Sequence, residues 1–251
     1  MDWAKLREPD GFSAETALIL AHASADAYLN ADSKDELERK WGCSASFYSF
    51  GDTQFLVLAG DSTIIAYRGT EPRSIADWIT DFSAYKSKWE TGGHVHAGFM
   101  DAYDMARETT REILRASSGS NVYLCGHSLG GGIASLASLD AAEQSLQFSQ
   151  TYTFGAPRVF GWAAALKALR LTYGRVFRVV NGNDIVPRIP STLRFNHVGE
   201  LDYINSKLRF RTRPSWLYVF FDRVLGYRAD ILSSHFANHY ITSIHAAIIG
   251  R

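Results

Sequence analysis

The N-terminal part of the chain has apolar residues at helical spacing. The pattern predicts one helix over 13–29 and a second over 33–41, and each begins at a serine. Ser33 and Glu36 have the spacing of a capping box, in which each side chain satisfies a backbone amide of the other residue. We therefore expect two capped helices ahead of the first strand.

The spacing then becomes strand-like. Gly-Asp pairs separate three runs that are rich in β-branched and aromatic residues, a pattern typical of an antiparallel meander. The predicted strands cover 44–50, 53–60 and 62–69.

From residue 97 onward, predicted helices alternate with short apolar runs. This alternation predicts βαβ crossovers, and hence an α/β fold with a mostly parallel sheet flanked by helices. Ligands of such sheets bind beyond the carboxyl ends of the strands, so we expect the chemistry just after strands 121–126 and 175–182. The predicted helices cover 97–117, 161–170, 214–232, 235–249 and the segment that starts at Ser128, and the predicted strands cover 121–126, 151–156, 175–182 and 195–204.

Composition limits the classes of function. Apolar residues make up 46% of the 251 residues and charged residues 21%, which argues against a disordered, fibrous or membrane-spanning chain and favours one domain over 1–251. Lysine and arginine (26) balance aspartate and glutamate (26), so we expect no nucleic-acid partner. Cys43 and Cys125 are too few for a disulfide framework, and neither they nor the pair His94 and His96 form a metal-ligand pattern. We expect no metal and no cofactor.

Sequence leaves the localisation open. The chain begins with acidic residues and a proline where a secretory leader needs a basic start and an apolar run. A cytoplasmic protein, leaderless export and a mature form all remain compatible. The apolar run 216–221 is far shorter than the roughly 20 residues that span a bilayer. It packs on the core, lines an acyl cleft or touches a lipid interface, with Arg211, Arg213 and Arg223 nearby for anionic head groups.

The stretch "GHSLG" at 126–130 carries the strongest chemical signal. It matches Gly-x-Ser-x-Gly between a predicted strand and a predicted helix, the context of a nucleophile on a strained turn. Gly126 and Gly130 leave room for the turn, and Ser128 would lie at the helix N-terminus. The amide of Leu129 can there stabilise an oxyanion. The alternative is a glycine-rich corner that packs a helix closely against a sheet.

A serine nucleophile needs a histidine base and an orienting carboxylate, expected downstream in the order acid, then histidine. Asp184 follows strand 175–182 in a loop, whereas Asp202, Asp222 and Asp230 lie within predicted strands or helices. Two C-terminal histidines can supply the base. His235 lies in a loop-like position at the start of the last helix, and His239 lies one turn further on, one step off the apolar stripe of that helix.

The ordered motifs of residues 66–240 resemble those of the fungal-type, class 3 lipase family of the α/β-hydrolases. They are "AYRGTEPRSIADWITDF", "VHAGFMDAY", "CGHSLGGGIASL", "TFGAPRVF", "VVNGNDIVPRIP" and a terminal histidine before a tyrosine. The resemblance implies an α/β-hydrolase fold, Ser128 as nucleophile, Asp184 as acid, and the amides of Thr70 and Leu129 as oxyanion hole.

The resemblance also bears on the base. Bacterial and plant branches of the family have a histidine, four residues and a tyrosine, as in His235 and Tyr240. Fungal members space the two more closely, which keeps His239 as an alternative base. The family's usual acidic residue before its histidine is replaced here by Ser234.

A lid over the active site is implied at about 73–83. Ser74 begins a short stretch whose apolar residues recur at helical spacing and form one stripe. These residues are Ile75, Trp78, Ile79 and Phe82. The alternative is an ordinary surface helix packed on the core.

These residues predict a serine carboxylester hydrolase that uses an acyl-enzyme, with a triacylglycerol lipase as first choice because a lid suits a lipid phase. The expected partner is a lipid or ester substrate at an oil–water or membrane interface, and no protein partner is implied. The alternatives are a phospholipase A1, a soluble-ester esterase of the feruloyl type, and, more remotely, a non-catalytic interaction protein on the same fold.

Overall fold

The computed structural model describes residues 1–6, 11–69, 85–226 and 233–250. The helices within these ranges are α1 (Ala14–Asp26), α2 (Lys34–Trp41), α3 (Ala97–Ala116), α4 (Leu129–Glu143), α5 (Trp162–Leu171), α6 (Trp216–Leu225) and α7 (Ala237–Ile249). The strands are β1 (Ser44–Phe50), β2 (Thr53–Ala59), β3 (Ser62–Tyr67), β4 (Lys86–Lys88), β5 (His94–His96), β6 (Asn121–His127), β7 (Gln150–Phe154), β8 (Val176–Asn181), β9 (Glu200–Ile204) and β10 (Phe210–Thr212).

Eight of these strands form one sheet in the order β1-β2-β3-β6-β7-β8-β9-β10. The meander β1-β2-β3 is antiparallel, and β3, β6, β7, β8 and β9 pair in parallel. The predicted meander and the predicted parallel sheet are therefore confirmed. The antiparallel edge strand β10 and the separate hairpin β4-β5 were not predicted, since each strand has only three residues.

The sheet is covered on both faces. One core packs α3, α4 and α5 against the sheet around Phe99 and Ile133, and the other packs α1, α2 and α7 around Leu20 and Tyr240. Strand residues alternate between the two cores, which explains why the central strands read as continuous apolar runs. Helices thus cover both faces of the central strands, and the ligand site of such a sheet is expected at the carboxyl ends of the strands.

Some local predictions were wrong. The side chain of Ser13 caps α1 by accepting from the amide of Thr16, as expected, but Ser33 makes no capping hydrogen bond. Asn30 instead caps a short 3-10 turn, Ala31–Ser33, that leads into α2. The predicted capping box fails because this turn gives Ser33 a φ of −85° and a ψ of 3°, not the extended backbone that a cap requires.

The C-terminal elements are shorter than predicted. Strand β9 begins at Glu200, and the residues before it make only an isolated bridge between Phe160 and Asn196. Helix α7 begins at Ala237, so His235 lies in the 3-10 turn Ser233–His235 that precedes it. The predicted lid at 73–83, with Ile75, Trp78, Ile79 and Phe82, lies outside the described residues. Within the described ranges, no helix combines the length and apolarity needed to cross a bilayer.

Candidate active site

Ser128 lies on the sharp turn between β6 and α4. Its φ is 57° and its ψ is −126°, a backbone conformation that residues with a Cβ rarely adopt. The turn is held by the Ser128 amide, which donates to the Phe154 carbonyl at 2.9 Å. A Cβ at Gly126 would overlap the backbone of Gly130, and a Cβ at Gly130 would overlap the Tyr67 carbonyl. The two glycines are therefore required by the close approach of helix and sheet.

Three side chains from separate elements meet at this turn. The Oγ of Ser128 lies 2.8 Å from Nε2 of His235, and Nδ1 of His235 lies 2.8 Å from Oδ2 of Asp184. All three residues are fully buried. Because an ionised carboxylate can only accept, Nδ1 carries the imidazole proton and Nε2 is free to accept the serine hydroxyl proton. The cluster thus presents a hydroxyl, a base and an orienting anion in line.

Asp184 is held by more than the histidine. It lies just after β8, where its Oδ1 accepts the amide of Val186 at 2.9 Å and its Oδ2 accepts the hydroxyl of Tyr240 at 2.6 Å. Burial and then the Asp184 charge raise the pKa of Tyr240 well above its usual value, so this hydroxyl remains a donor. Gly155 (φ 61°) gives the group its space, because a Cβ there would lie 2.7 Å from Oδ2 of Asp184. The carboxylate is therefore fixed from three directions.

A second histidine supports the first. His127 is buried, and burial followed by the neighbouring His235 holds its pKa well below the usual range, so it is neutral. Its Nε2 lies within hydrogen-bond distance of the backbone carbonyl of His235, and its Nδ1 lies 3.0 Å from the hydroxyl of Tyr28. A carbonyl only accepts, so Nε2 donates to His235 and Nδ1 accepts from Tyr28. His127 thereby fixes the backbone that carries the His235 imidazole.

The surroundings suit a developing negative charge on the substrate. Leu129 is the first residue of α4, where backbone amides have no partner within the helix. Gly69 lies against the same turn, since a Cβ on it would be 3.3 Å from the Cβ of Ser128. Thr70, the residue after it, lies outside the described residues. The positive end of the α4 dipole thus faces the serine.

The other sequence candidates lie elsewhere. His239 is exposed on α7, one turn beyond His235, and lines a cavity beside Tyr28 and His127. Asp202 is buried in β9 and accepts from Thr212 at 2.9 Å.

Asp222 accepts from the hydroxyl of Tyr203 at 2.9 Å and from the amide of Ser206 at 3.0 Å. Asp230 lies outside the described residues. Of the acids that sequence singled out and the structure describes, Asp184 alone contacts a histidine.

Four supporting residues were missed by sequence reasoning: Tyr28, His127, Gly155 and Tyr240. Three of them lie inside motifs that were noted, namely "GHSLG", "TFGAPRVF" and the terminal histidine with its tyrosine. Tyr28 has no sequence signal of its own, because only the packing of α1 on β6 brings its hydroxyl to His127. Among the described residues, no group of three histidine, cysteine or acidic side chains is arranged to hold a metal ion.

Comparison with known proteins identifies the class. The family profile "Lipase (class 3)" matches residues 64–193, just over half of the chain. A lipase of Rhizomucor miehei is 36% identical over 163 residues, which are 59% of this chain and 44% of that protein. A secreted mono- and diacylglycerol lipase of Fusarium solani is 30% identical over 133 residues, 51% of this chain and 39% of that protein. The chain thus spans less than half of these curated relatives.

Solved structures agree with the sequence matches. A triacylglycerol lipase whose catalytic centre is described as a serine protease triad superposes with a TM-score of 0.66 at 27% identity. The superposition covers 78% of this chain and 80% of that one. The central sheet, the turn at Ser128 and the flanking helices are therefore those of the α/β-hydrolase fold.

Proposed function

Because the chain belongs to the class 3 lipase family, we propose that it is a serine carboxylester hydrolase acting on acylglycerols through Ser128, His235 and Asp184. The observation that carries the proposal is the buried, continuous hydrogen-bonded series from Ser128 to Asp184, with both links at 2.8 Å. Strain at Ser128 adds support, because strained backbone persists where the surrounding structure enforces it and clusters at active sites.

The chemistry follows from which atom holds each proton. Nε2 of His235 takes the proton of the Ser128 hydroxyl as Oγ attacks the acyl carbonyl carbon, and a tetrahedral oxyanion forms. The amides of Leu129 and Thr70 donate to that oxyanion in this proposal. Nε2 then gives its proton to the departing alcohol oxygen. A water molecule repeats the sequence on the acyl-enzyme and releases the carboxylic acid.

Asp184 acts through His235. Its carboxylate accepts from Nδ1, so the imidazole keeps the tautomer with a free Nε2, and it stabilises the imidazolium formed during attack. The Tyr240 hydroxyl and the Val186 amide hold the carboxylate in this orientation. His127 in turn holds the backbone of His235. A base positioned in this way loses little entropy as the reaction proceeds.

Acylglycerols are the first choice of substrate. Relatives with this fold are named triacylglycerol and mono- and diacylglycerol lipases. The apolar stripe of Ile75, Trp78, Ile79 and Phe82 also fits a lid that closes over an apolar cleft in water. A lid of this kind gains by opening onto a lipid surface, where its apolar face is no longer in water.

The deciding experiment measures hydrolysis of an emulsified long-chain triacylglycerol, a diacylglycerol, a phospholipid and a soluble short-chain ester. Ser128→Ala serves as the blank. We expect the emulsified acylglycerols to be the best substrates and the blank to be inactive. Preference for the soluble ester would indicate an esterase, and preference for the phospholipid sn-1 ester would indicate a phospholipase A1. Equal activity of the unchanged protein and Ser128→Ala would refute the proposed role of Ser128 as nucleophile.

The lid is tested separately. Trp78→Ala should lower the rate on the emulsion more than the rate on the soluble ester. Trp162→Ala is a matched control, because Trp162 lies on α5 with 70% of its surface exposed. Equal losses on both substrates for Trp78→Ala would contradict a lid.

A further inference from the structure

A second cavity, separate from the triad, opens on the face of the sheet beside β8 and β9. It has a volume of about 680 Å³ and contains none of Ser128, Asp184 and His235 in its lining. Four arginines line it, Arg158, Arg178, Arg188 and Arg223, together with His197. We refer to it as the arginine cleft. No carboxylate lies among its described lining residues.

The positive charges of the four guanidinium groups are poorly balanced. Asp202 acts on Arg178 and Asp184 on Arg188, but each effect is smaller than burial and the repulsion of a neighbouring arginine. Among the described residues, none of them forms a salt bridge. Three of them donate to backbone carbonyls: Arg158 to Pro190 at 2.8 Å, Arg178 to Gly199 at 3.3 Å and Arg223 to Gly182 at 3.2 Å. A neutral carbonyl leaves the positive charge uncompensated.

Repulsion within the cleft adds to this imbalance. Burial and then Arg158 lower the pKa of Arg178 to about 10, and burial followed by Arg223 lowers the pKa of both Arg158 and Arg188. All of them remain cationic at neutral pH. His197 is neutral, since burial and Arg178 depress its pKa, and its Nε2 donates to the Pro187 carbonyl at 2.8 Å. An anion in the cleft would relieve this repulsion and could accept from several guanidinium groups.

Helix α6 forms one wall of the cleft and points its apolar face outward. Its exposed large apolar residues recur as pairs one turn apart, so they share one side of the helix. They are Trp216, Leu217, Phe220, Phe221, Val224 and Leu225. Trp216 is 75% exposed and Leu225 81% exposed. On the other side of the helix, Val219 is buried against Val180 and Tyr203.

The apolar face and the arginines are continuous. Trp216, Phe220 and Val224 belong to the exposed face and also line the cleft. The chain as a whole is neutral, so the positive charge here is local. A partner that fits this surface therefore carries an anionic group for the arginines next to an apolar phase for the face of α6. A phospholipid surface provides this combination, with acyl chains below the phosphate plane, where tryptophan is favoured.

We propose that this surface binds anionic phospholipid membranes, with the face of α6 inserted among the lipids and a head-group phosphate in the arginine cleft. The binding does not depend on ester hydrolysis or on the triad. It gives the protein a means of residing on an anionic surface that is independent of the substrate in its active site.

The test measures binding of the Ser128→Ala protein to vesicles by sedimentation, so that lipid hydrolysis plays no part. One set of vesicles contains phosphatidylcholine alone, and the other contains equal parts of phosphatidylcholine and phosphatidylglycerol. Each basic residue near an anionic surface contributes roughly a fivefold factor in affinity. We expect clearly tighter binding to the anionic vesicles. The difference should shrink as salt shortens the Debye length from about 10 Å at 0.1 M to about 3 Å at 1 M.

Matched variants locate the surface. Arg188→Gln with Arg223→Gln should lower the affinity for anionic vesicles roughly 25-fold, as expected for two charges of about fivefold each. The control pair, Arg39→Gln with Arg115→Gln, removes the same charge from exposed positions on α2 and α3 and should leave binding within twofold. Arg188→Lys with Arg223→Lys should restore most of the affinity. Circular dichroism confirms that each variant is folded.

The apolar face has its own pair. Trp216→Ser should weaken binding to anionic vesicles severalfold, whereas Trp162→Ser, at a tryptophan of similar exposure, should leave it unchanged. The proposal is overturned if both vesicle types bind equally or if the arginine and control pairs behave alike. It is also overturned if inorganic phosphate at matched ionic strength abolishes vesicle binding while Trp216→Ser has no effect, because the cleft would then take a free anion.

Discussion

Two substitutions at Ser128 separate the cost of its strained backbone from the loss of its hydroxyl group. Ser128→Ala removes the nucleophile and keeps a Cβ, whereas Ser128→Gly removes both. The φ of 57° and ψ of −126° penalise any residue with a Cβ, but glycine adopts them freely. Both variants lose the hydrogen bond to His235, so the difference in stability between them isolates the backbone strain.

The magnitude follows from two opposing effects. Relief of a strained backbone conformation is worth about 1–3 kcal/mol, and the extra freedom of glycine in the unfolded chain costs about 0.5–1 kcal/mol. We therefore expect Ser128→Gly to be more stable than Ser128→Ala by about 1 kcal/mol. For a protein of this size, such a difference raises the Tm by about 2–4 °C.

Denaturant unfolding followed by circular dichroism measures the difference, with m-values checked for equality. Ser135 supplies the control, because it lies inside α4 with ordinary helical backbone. There the order should reverse, with Ser135→Gly less stable than Ser135→Ala by about 1 kcal/mol. The reasoning is refuted if Ser128→Gly is no more stable than Ser128→Ala, or if both sites give the same order.

Three further outcomes follow from the geometry. Asp184→Asn should lower kcat by about 10⁴-fold with little change in fold, because Nδ1 loses the acceptor that fixes its tautomer; near-normal kcat would remove Asp184 from the mechanism. His235→Ala should abolish hydrolysis, and His239→Ala, at an exposed position, should not, as measured by steady-state rates. The opposite result would make His239 the base. Asp202→Asn should stabilise the protein at pH 8 and not at pH 4, measured by unfolding at both pH values. Burial raises the pKa of Asp202 from 3.8 to about 7, so between these pH values the folded state keeps a proton that the unfolded state has lost. The free energy of unfolding therefore falls as the pH rises through this range, by up to about 4 kcal/mol, and asparagine escapes this loss. An equal effect at both pH values would contradict this.

Elements with a repeated pattern were predictable from the sequence. The meander and the alternating strands and helices follow from periodicity over five or more residues, and all of them appear in the structure. Features of three residues or fewer escaped, such as β10 and the turn Ala31–Ser33, because so short a segment has too few repeats for a pattern to stand out. The turn also explains the failed capping box, since it begins at Asn30 and leaves Ser33 past the capping position.

The members of the proposed triad could be singled out for a different reason. Ser128 and Asp184 each end a predicted strand, and parallel strands bring their carboxyl ends to one edge of the sheet. Between His235 and His239 the sequence could not decide, because residues one turn apart share a helix face. The choice depends on where α7 begins. Since the helix starts at Ala237, His235 lies in the preceding turn and faces inward, and His239 lies on the exposed side.

The arginine cleft gave no comparable signal because its four arginines come from separate segments of the chain. Arginine is common on surfaces, and of the four only Arg223 was singled out, beside the apolar run 216–221. The strand pattern could also have revealed Arg178, because it alternates with Phe177 and Val179, which belong to the core on the opposite face. The pairing of Arg178 with Leu201 places it on the face covered by α6. A charge at an inward-facing strand position requires a partner. Among the described residues, Arg178 donates to the neutral Gly199 carbonyl and the cleft lining holds no carboxylate, so in our proposal an anion from outside the chain completes the compensation.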